Sequence, residues 1–255
     1  MTRAVSPPHA GTVHVEHVMG TVFSLDLRDP VPPAAVEAIV AMLHRLDELC
    51  STYLPGSEVS RLRRGELELA DADPDVRGAA ELCEQARELT GGWFDAAADG
   101  LFDPSGVVKG WAVERAAALL VAAGSRRHSV NGGGDVAVGL GPEPGRPWRV
   151  GVADPLHPGG LLAAVRLETG GVATSGTAER GGHVLDPRTG LAARGLAGVT
   201  VVGPSLLRAD VLATAAVAAG PAGAPELLRN QPGYEWLLVT ADGRQVVSPG
   251  WTALT

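Results

Sequence analysis

Apolar and polar residues alternate from Val13 to Leu27, the two-residue period of a strand with one buried face, with one interruption at Met19-Gly20-Thr21. Pro32-Pro33 then opens a different rhythm. Val36, Ile39, Val40, Leu43 and Leu46 recur at three- and four-residue intervals, which predicts a helix over 34–49 that starts on a proline. A turn-rich stretch at 51–57 leads to a short helix at 58–62. Further helices are predicted over 75–90, ended by Gly91-Gly92, and over 110–123. Strands are expected at 129–138, 148–152 and 161–167, divided by Gly and Pro turns. A strand at 198–202 precedes an Ala-rich helix at 209–219, and a hairpin over 235–248 turns at Ala241-Asp242-Gly243. Helices and strands intermix without a βαβ rhythm. The pattern therefore predicts an α+β fold, mixed sheets with packed helices, rather than a doubly wound sheet. Residues 1–12 read as a loose polar tail and 13–255 as one domain, without internal repeats.

Composition narrows the function classes. A chain of 255 residues that is 45% hydrophobic and 20% charged can bury a large core. Its formal charge of −8 argues against nonspecific nucleic-acid binding. No uninterrupted apolar run reaches the roughly 18 residues a membrane span needs, and the N-terminus carries neither a signal-peptide core nor a lipidated-cysteine pattern; the expectation is a cytoplasmic protein. Cys50 and Cys83 form neither a metal cluster nor a disulfide framework. Of the 21 basic side chains only Lys109 is lysine. In a chain that otherwise uses Arg for positive charge, a single Lys is a candidate for a place that calls for a compact ammonium, the alternative being survival by chance.

Four stretches could carry chemistry. Asp103-Pro104-Ser105-Gly106-Val107-Val108-Lys109-Gly110 leads into a predicted helix, where free N–H groups and the dipole favour an anion; it also reads as an ordinary helix start, and its spacing is not that of a P-loop. Asn131-Gly132-Gly133-Gly134-Asp135 permits close backbone approach to a ligand, or is a glycine bulge between strands. His183 and Asp186 could form a hydrogen-bonded pair that fixes the imidazole tautomer, or Asp186-Pro187-Arg188-Thr189-Gly190 is simply a turn. Asp210 and Thr214, four apart on a helix, share a face where a carboxylate and a hydroxyl can meet a hard cation such as Mg²⁺; alternatively Asp210 complements the helix dipole.

Taken in order, these stretches resemble the ApbE family of FAD:protein FMN transferases. The resemblance rests on Met19-Gly20-Thr21, Ser51-Thr52-Tyr53 with Ser57-Glu58-Val59-Ser60-Arg61, and Thr90-Gly91-Gly92-Trp93-Phe94-Asp95. It continues through Val108-Lys109-Gly110-Trp111, Asn131–Asp135, Thr174-Ser175-Gly176, His183–Gly190 and Ala209–Thr214, and covers about residues 17–220. It implies an enzyme that takes FAD as substrate with Mg²⁺, releases AMP, and joins FMN by a phosphoester to a Thr or Ser hydroxyl of an acceptor flavoprotein. Carried over residue by residue, Met19, Trp93, Phe94, Asp95, Asp103, Lys109 and Val199 are expected to contact FAD. The Gly106 carbonyl, Asp210, the Ala213 carbonyl and Thr214 are expected to hold the metal, and His183, with Asp210, to be catalytic.

The chain also departs from the family pattern. Only seven residues separate Asp95 from Asp103, Gly106-Val107 replaces the more usual Ala-Ile, and Thr177-Ala178 stands where an acid or an aromatic is common. Two alternatives share the same site: an FAD-binding or trafficking protein without transfer, and an FAD pyrophosphatase that yields FMN and AMP.

Overall fold

A computed structural model describes residues 11–141, 146–176 and 184–251. Strands β1 (Thr12–Val18) and β2 (Thr21–Leu27) form a hairpin whose register, Val18 opposite Thr21, leaves Met19-Gly20 as a two-residue loop. Both loop residues have positive φ (56° and 65°), as a type I′ turn requires, so Met19 occupies a backbone region that side chains rarely adopt. On β2 the two-residue period buries Phe23, Leu25 and Leu27. Helix α1 (Pro33–Cys50) follows, buried through Ile39, Met42, Leu43 and Leu46. Helix α2 (Glu58–Arg63) is capped by Ser57, whose hydroxyl accepts the Ser60 N–H at 3.0 Å, and α3 (Pro74–Leu89) by Asp73, which accepts the Asp75 N–H.

Helix α4 (Ser105–Ala122) precedes β3 (His128–Gly132) and β4 (Asp135–Val138). The single strand expected at 129–138 is thus a hairpin: Gly133 and Gly134, at φ 61° and 98°, make the reversal. The chain continues through β5 (Trp148–Ala153), β6 (Leu161–Leu167), β7 (Gly170–Gly176), β8 (Leu185–Asp186), β9 (Leu191–Ala192) and β10 (Leu196–Gly203). Helix α5 (Leu206–Arg229) and the hairpin of β11 (Glu235–Thr240) and β12 (Gln245–Val247) follow.

Eight strands form one sheet in the order β1-β2-β3-β4-β7-β10-β11-β12, every ladder antiparallel. Helices α1, α4 and α5 cover one face through a core that includes Leu46, Val113, Leu212 and Val199. The β5–β6 hairpin and Trp251 close the other face over Val136, Val172, Val202 and Leu237. The fold is α+β, in three layers. By length and composition α5 is apolar enough to cross a membrane, but its apolarity is used inside the fold, where it packs on β7, β10 and α4.

Two helices begin earlier than the sequence pattern predicts. Helix α4 starts at Ser105 rather than Gly110 because Asp103 Oδ1 accepts the Ser105 N–H at 2.9 Å and Val107 and Val108 are already buried. Helix α5 starts at Leu206 rather than Ala209, with Ser205 as its N-cap, accepting the Arg208 N–H at 3.1 Å. Both shifts move chemistry-bearing residues from a helix end into a helix body.

Candidate functional site

Helices α4 and α5 cross at Gly110. A methyl group there would lie 2.9 Å from Asp210 Oδ2 and 3.3 Å from the Leu207 Cα, so only glycine allows this approach. The crossing brings Lys109 to Asp210, 101 positions later, with Nζ 3.2 Å from Oδ2. Asp210 is only 3% exposed; it is a buried partner of an ammonium and not an exposed complement to the helix dipole. Lys109 is itself a residue of the second turn of α4, so it acts through its side chain and not as part of a loop of free amides.

A second carboxylate meets the same ammonium. Asp135, 1% exposed, directs Oδ2 at Lys109 Nζ, while its Oδ1 accepts the Thr174 N–H of β7 at 3.0 Å. The Gly133-Gly134 reversal places it there. The motif shows the acid at its end, but nothing in the sequence pairs Asp135 with Lys109. Beside Asp210, one turn further along α5, Thr214 Oγ1 lies 2.9 Å from Ser175 Oγ, so the Thr174-Ser175-Gly176 motif of β7 adds a hydroxyl to which the sequence assigns no role.

Lys109 also lines a cavity of about 540 Å³. Met19 and Gly20 of the β1–β2 turn, Asp47 and Cys50 of α1, Tyr53, and Ser105 and Val108 of α4 form its other walls. The Met19 N–H donates to Asp47 Oδ2 at 3.3 Å, which helps hold the strained turn against the opening. Tyr53, from the Ser51-Thr52-Tyr53 motif, is 88% exposed at the rim, an aromatic face open to a ligand that the sequence does not assign to the site. Burial pushes the Cys50 thiol up to about 12, with Asp75 and Asp73 adding to the effect, so Cys50 is a wall and not a nucleophile.

The remaining predicted residues are distributed unevenly. Met19 and Lys109 share the cavity. Phe94 is buried under Gly106, with its ring 3.0 Å from where a Gly106 Cβ would stand, and Asp103 holds the first turn of α4. Trp93 lies apart from the cavity and stacks under the Arg188 guanidinium at 3.7 Å. Asp95 is exposed and accepts the Ala97 N–H, beside a separate cleft near Cys83. Val199 is fully buried in the core between β7 and β11, so it offers no side-chain surface to a ligand. His183 lies outside the described residues. Its expected partner Asp186 makes a turn, accepting the Arg188 N–H at 2.9 Å, which is the simpler of the two readings of that stretch.

Among the described residues no three His, Cys, Asp or Glu side chains are grouped to hold a metal ion. The side chains grouped on this part of α5 nevertheless offer oxygen: the Asp210 carboxylate and, one turn on, the Thr214 hydroxyl with Ser175 beside it, while the expected carbonyl donors Gly106 and Ala213 belong to the same two helices. Two nearly buried carboxylates face one ammonium, which leaves a net negative charge. Hard oxygen donors, few of them charged, suit Mg²⁺ that shares its shell with phosphate oxygens.

A model of the ApbE family matches residues 19–103 and 98–238. An FAD:protein FMN transferase of Rhodobacter capsulatus is 37% identical over 156 residues, 58% of this chain and 29% of that protein. One from Escherichia coli K12 is 33% identical over 152 residues, 55% of this chain and 43% of that protein. The chain thus spans less than half the length of these curated relatives. Among solved structures, the ApbE protein of Thermotoga maritima superposes with a TM-score of 0.84 at 23% identity, covering 96% of this chain and 99% of that one. The flavin transferase ApbE of Vibrio cholerae gives 0.83 at 19%, covering 96% and 100%; these two likenesses establish the fold.

Proposed function

The chain belongs to the ApbE family, and on that premise we propose that it transfers FMN from FAD to a Thr or Ser hydroxyl of an acceptor flavoprotein, with Mg²⁺ bound and AMP released. The observation that carries this reading is the convergence of Lys109 and Asp210 beside a cavity large enough for part of a dinucleotide. Transfer of a phosphoryl-linked group asks for two things: neutralised diphosphate oxygens, and a nucleophile placed in line.

Lys109 supplies the first as a point charge at the cavity wall. Ser105, in the first turn of α4, offers the positive end of a helix dipole to the same oxygens. Met19 and Tyr53 provide an apolar and an aromatic surface for the flavin rings. Asp210, Thr214 and the carbonyls of Gly106 and Ala213 would hold Mg²⁺, which when bound withdraws charge from the scissile diphosphate. His183 is assigned the acceptor's proton: the hydroxyl oxygen bonds to the FMN phosphorus, the bond to the AMP oxygen breaks, and the proton passes to the imidazole.

Incubation with FAD, Mg²⁺ and a flavoprotein bearing an exposed Thr tests the reading. Covalent flavin on the acceptor, visible by in-gel fluorescence and lost in Asp210→Ala, is the expected result. Free FMN plus AMP would make the chain a pyrophosphatase, and bound, unchanged FAD would make it a carrier; either result overturns transfer.

A further inference from the structure

We propose that Lys109 is the resident counter-ion of the flavin-free site, occupying Asp210 until a diphosphate draws it away, and that Asp135 is the positioning residue that makes this exchange possible. The idea rests on the metal and FAD assignments above, and it concerns how those two ligands depend on each other.

Asp135 cannot touch either ligand itself. It is all but fully buried, one oxygen is taken by the Thr174 N–H, and the other faces Lys109. Lys109 differs: its side chain is 26% exposed and it lines the cavity, so it alone of the three charged groups reaches both the buried acids and the open space. Lys109 Nζ stands 3.2 Å from Asp210 Oδ2. A cation arriving at Asp210 therefore meets a positive charge already in place, and repulsion at that distance is strong in a partly buried site.

A diphosphate in the cavity changes the balance. The ammonium can pivot toward phosphate oxygens while it keeps Asp135, which leaves Asp210 to the cation. Each ligand then binds more tightly when the other is present, because both favour the same position of Lys109. Without the charge on Asp135, Asp210 would be the one anionic partner of Lys109 among the described residues, and Lys109 would hold it more firmly. The structure thus explains why an ammonium sits between two acids and not beside one.

Mn²⁺ binding to the flavin-free protein, followed by the EPR signal of the free ion, tests this directly. Lys109→Met should bind Mn²⁺ about tenfold more tightly than the parent, and Asp135→Asn about tenfold more weakly. Adding FAD should tighten Mn²⁺ binding by a clearly larger factor in the parent than in Lys109→Met, where only the shared phosphate oxygens contribute; equal factors overturn the exchange. A merely structural role for these residues predicts weakening in both variants, together with loss of the folded far-UV spectrum. If Lys109→Met fails to fold, the Asp135→Asn arm decides alone, since equal or tighter Mn²⁺ binding in that variant overturns the idea. Binding that survives Asp210→Ala sinks the metal assignment itself. Binding that is lost in Asp210→Ala but not tightened in Lys109→Met sinks only the counter-ion role.

Discussion

Replacing Gly110 with Ala perturbs the crossing without removing any charged group. The added methyl would stand 2.9 Å from Asp210 Oδ2, 3.3 Å from Asp210 Cβ and 3.3 Å from the Leu207 Cα. Ordinary carbon contacts need roughly 3.5–4.0 Å, so the carboxylate must swing away by about half an ångström and α5 must yield by a few tenths. Overpacking of this kind costs about 1–3 kcal/mol, and the gain in helix propensity from Gly to Ala returns about 1 kcal/mol. The net destabilisation is about 1 kcal/mol, a fall in Tm of roughly 2–4 °C for a domain of this size. The effect on chemistry should be larger. Asp210 turns away from Lys109 and from the proposed metal position on its face of α5, and a displacement near 1 Å costs up to about 100-fold in rate. Flavin transfer at saturating FAD should therefore drop about tenfold while the protein stays folded, and the Mg²⁺ concentration for half-maximal activity should rise. Differential scanning fluorimetry and in-gel flavin fluorescence measure the two quantities on one preparation. An unchanged rate and an unchanged Mg²⁺ requirement, in a protein whose Tm has moved as expected, would show that the Asp210 position set by Gly110 does not matter to the reaction.

Three further outcomes are expected. Met19→Gly removes a cavity wall but relieves the positive φ of the turn, so FAD should bind about tenfold more weakly with Tm altered by less than about 2 °C; tight binding in that variant would remove Met19 from the flavin contacts. Asp103→Ala deletes the acceptor for the first N–H of α4 and should cost about 1 kcal/mol in urea unfolding, most of it recovered in Asp103→Asn; a loss of FAD binding with no loss of stability would instead make Asp103 a direct ligand contact. His128 is buried beside Ser125 Oγ at 3.1 Å, and burial pulls its pKa down, opposed by Asp29. Its neutral form is the folded one, so its contribution is complete above the unfolded value near 6.5 and is lost as pH falls below it, at up to about 1.4 kcal/mol per pH unit. The fall in unfolding free energy from pH 7.5 to 5.5 should be smaller in His128→Gln than in the parent, and equal slopes would contradict the assignment.

The two-residue and 3.6-residue rhythms made the outer parts of the fold legible. The strand character of 13–27, α1, α3 and the closing hairpin stand where the pattern put them, because each has one clearly apolar face and strong punctuation by Pro or Gly; that the break at Met19-Gly20 is a hairpin turn came from the structure. Strand β7 escaped the pattern although it lies at the centre of the sheet. Its sequence, GGVATSG, has little side-chain period to read, and Gly171 is there because the start of α5 leaves no room for a side chain: a Cβ would lie 2.6 Å from that of Leu206. The helix starts at Ser105 and Leu206 escaped for a related reason, since the residues that set them act through capping bonds and tertiary burial, not through periodicity.

The sequence alone determined the chemistry in hand: a single lysine, an acid and a hydroxyl one helical turn apart, a triple glycine before a carboxylate, and an order of motifs that points to one family. Only the tertiary structure decided which of these groups meet. Residues 109, 135 and 210 come from two helices and a strand, and nothing in their separations along the chain encodes that both acids face one ammonium. Their meeting depends on a glycine small enough for two helices to touch and on a tight turn that reverses a strand, and the same packing sent Val199 into the core and Trp93 to a different surface. Local sequence selects the functional groups; the close packing of distant segments selects their partners.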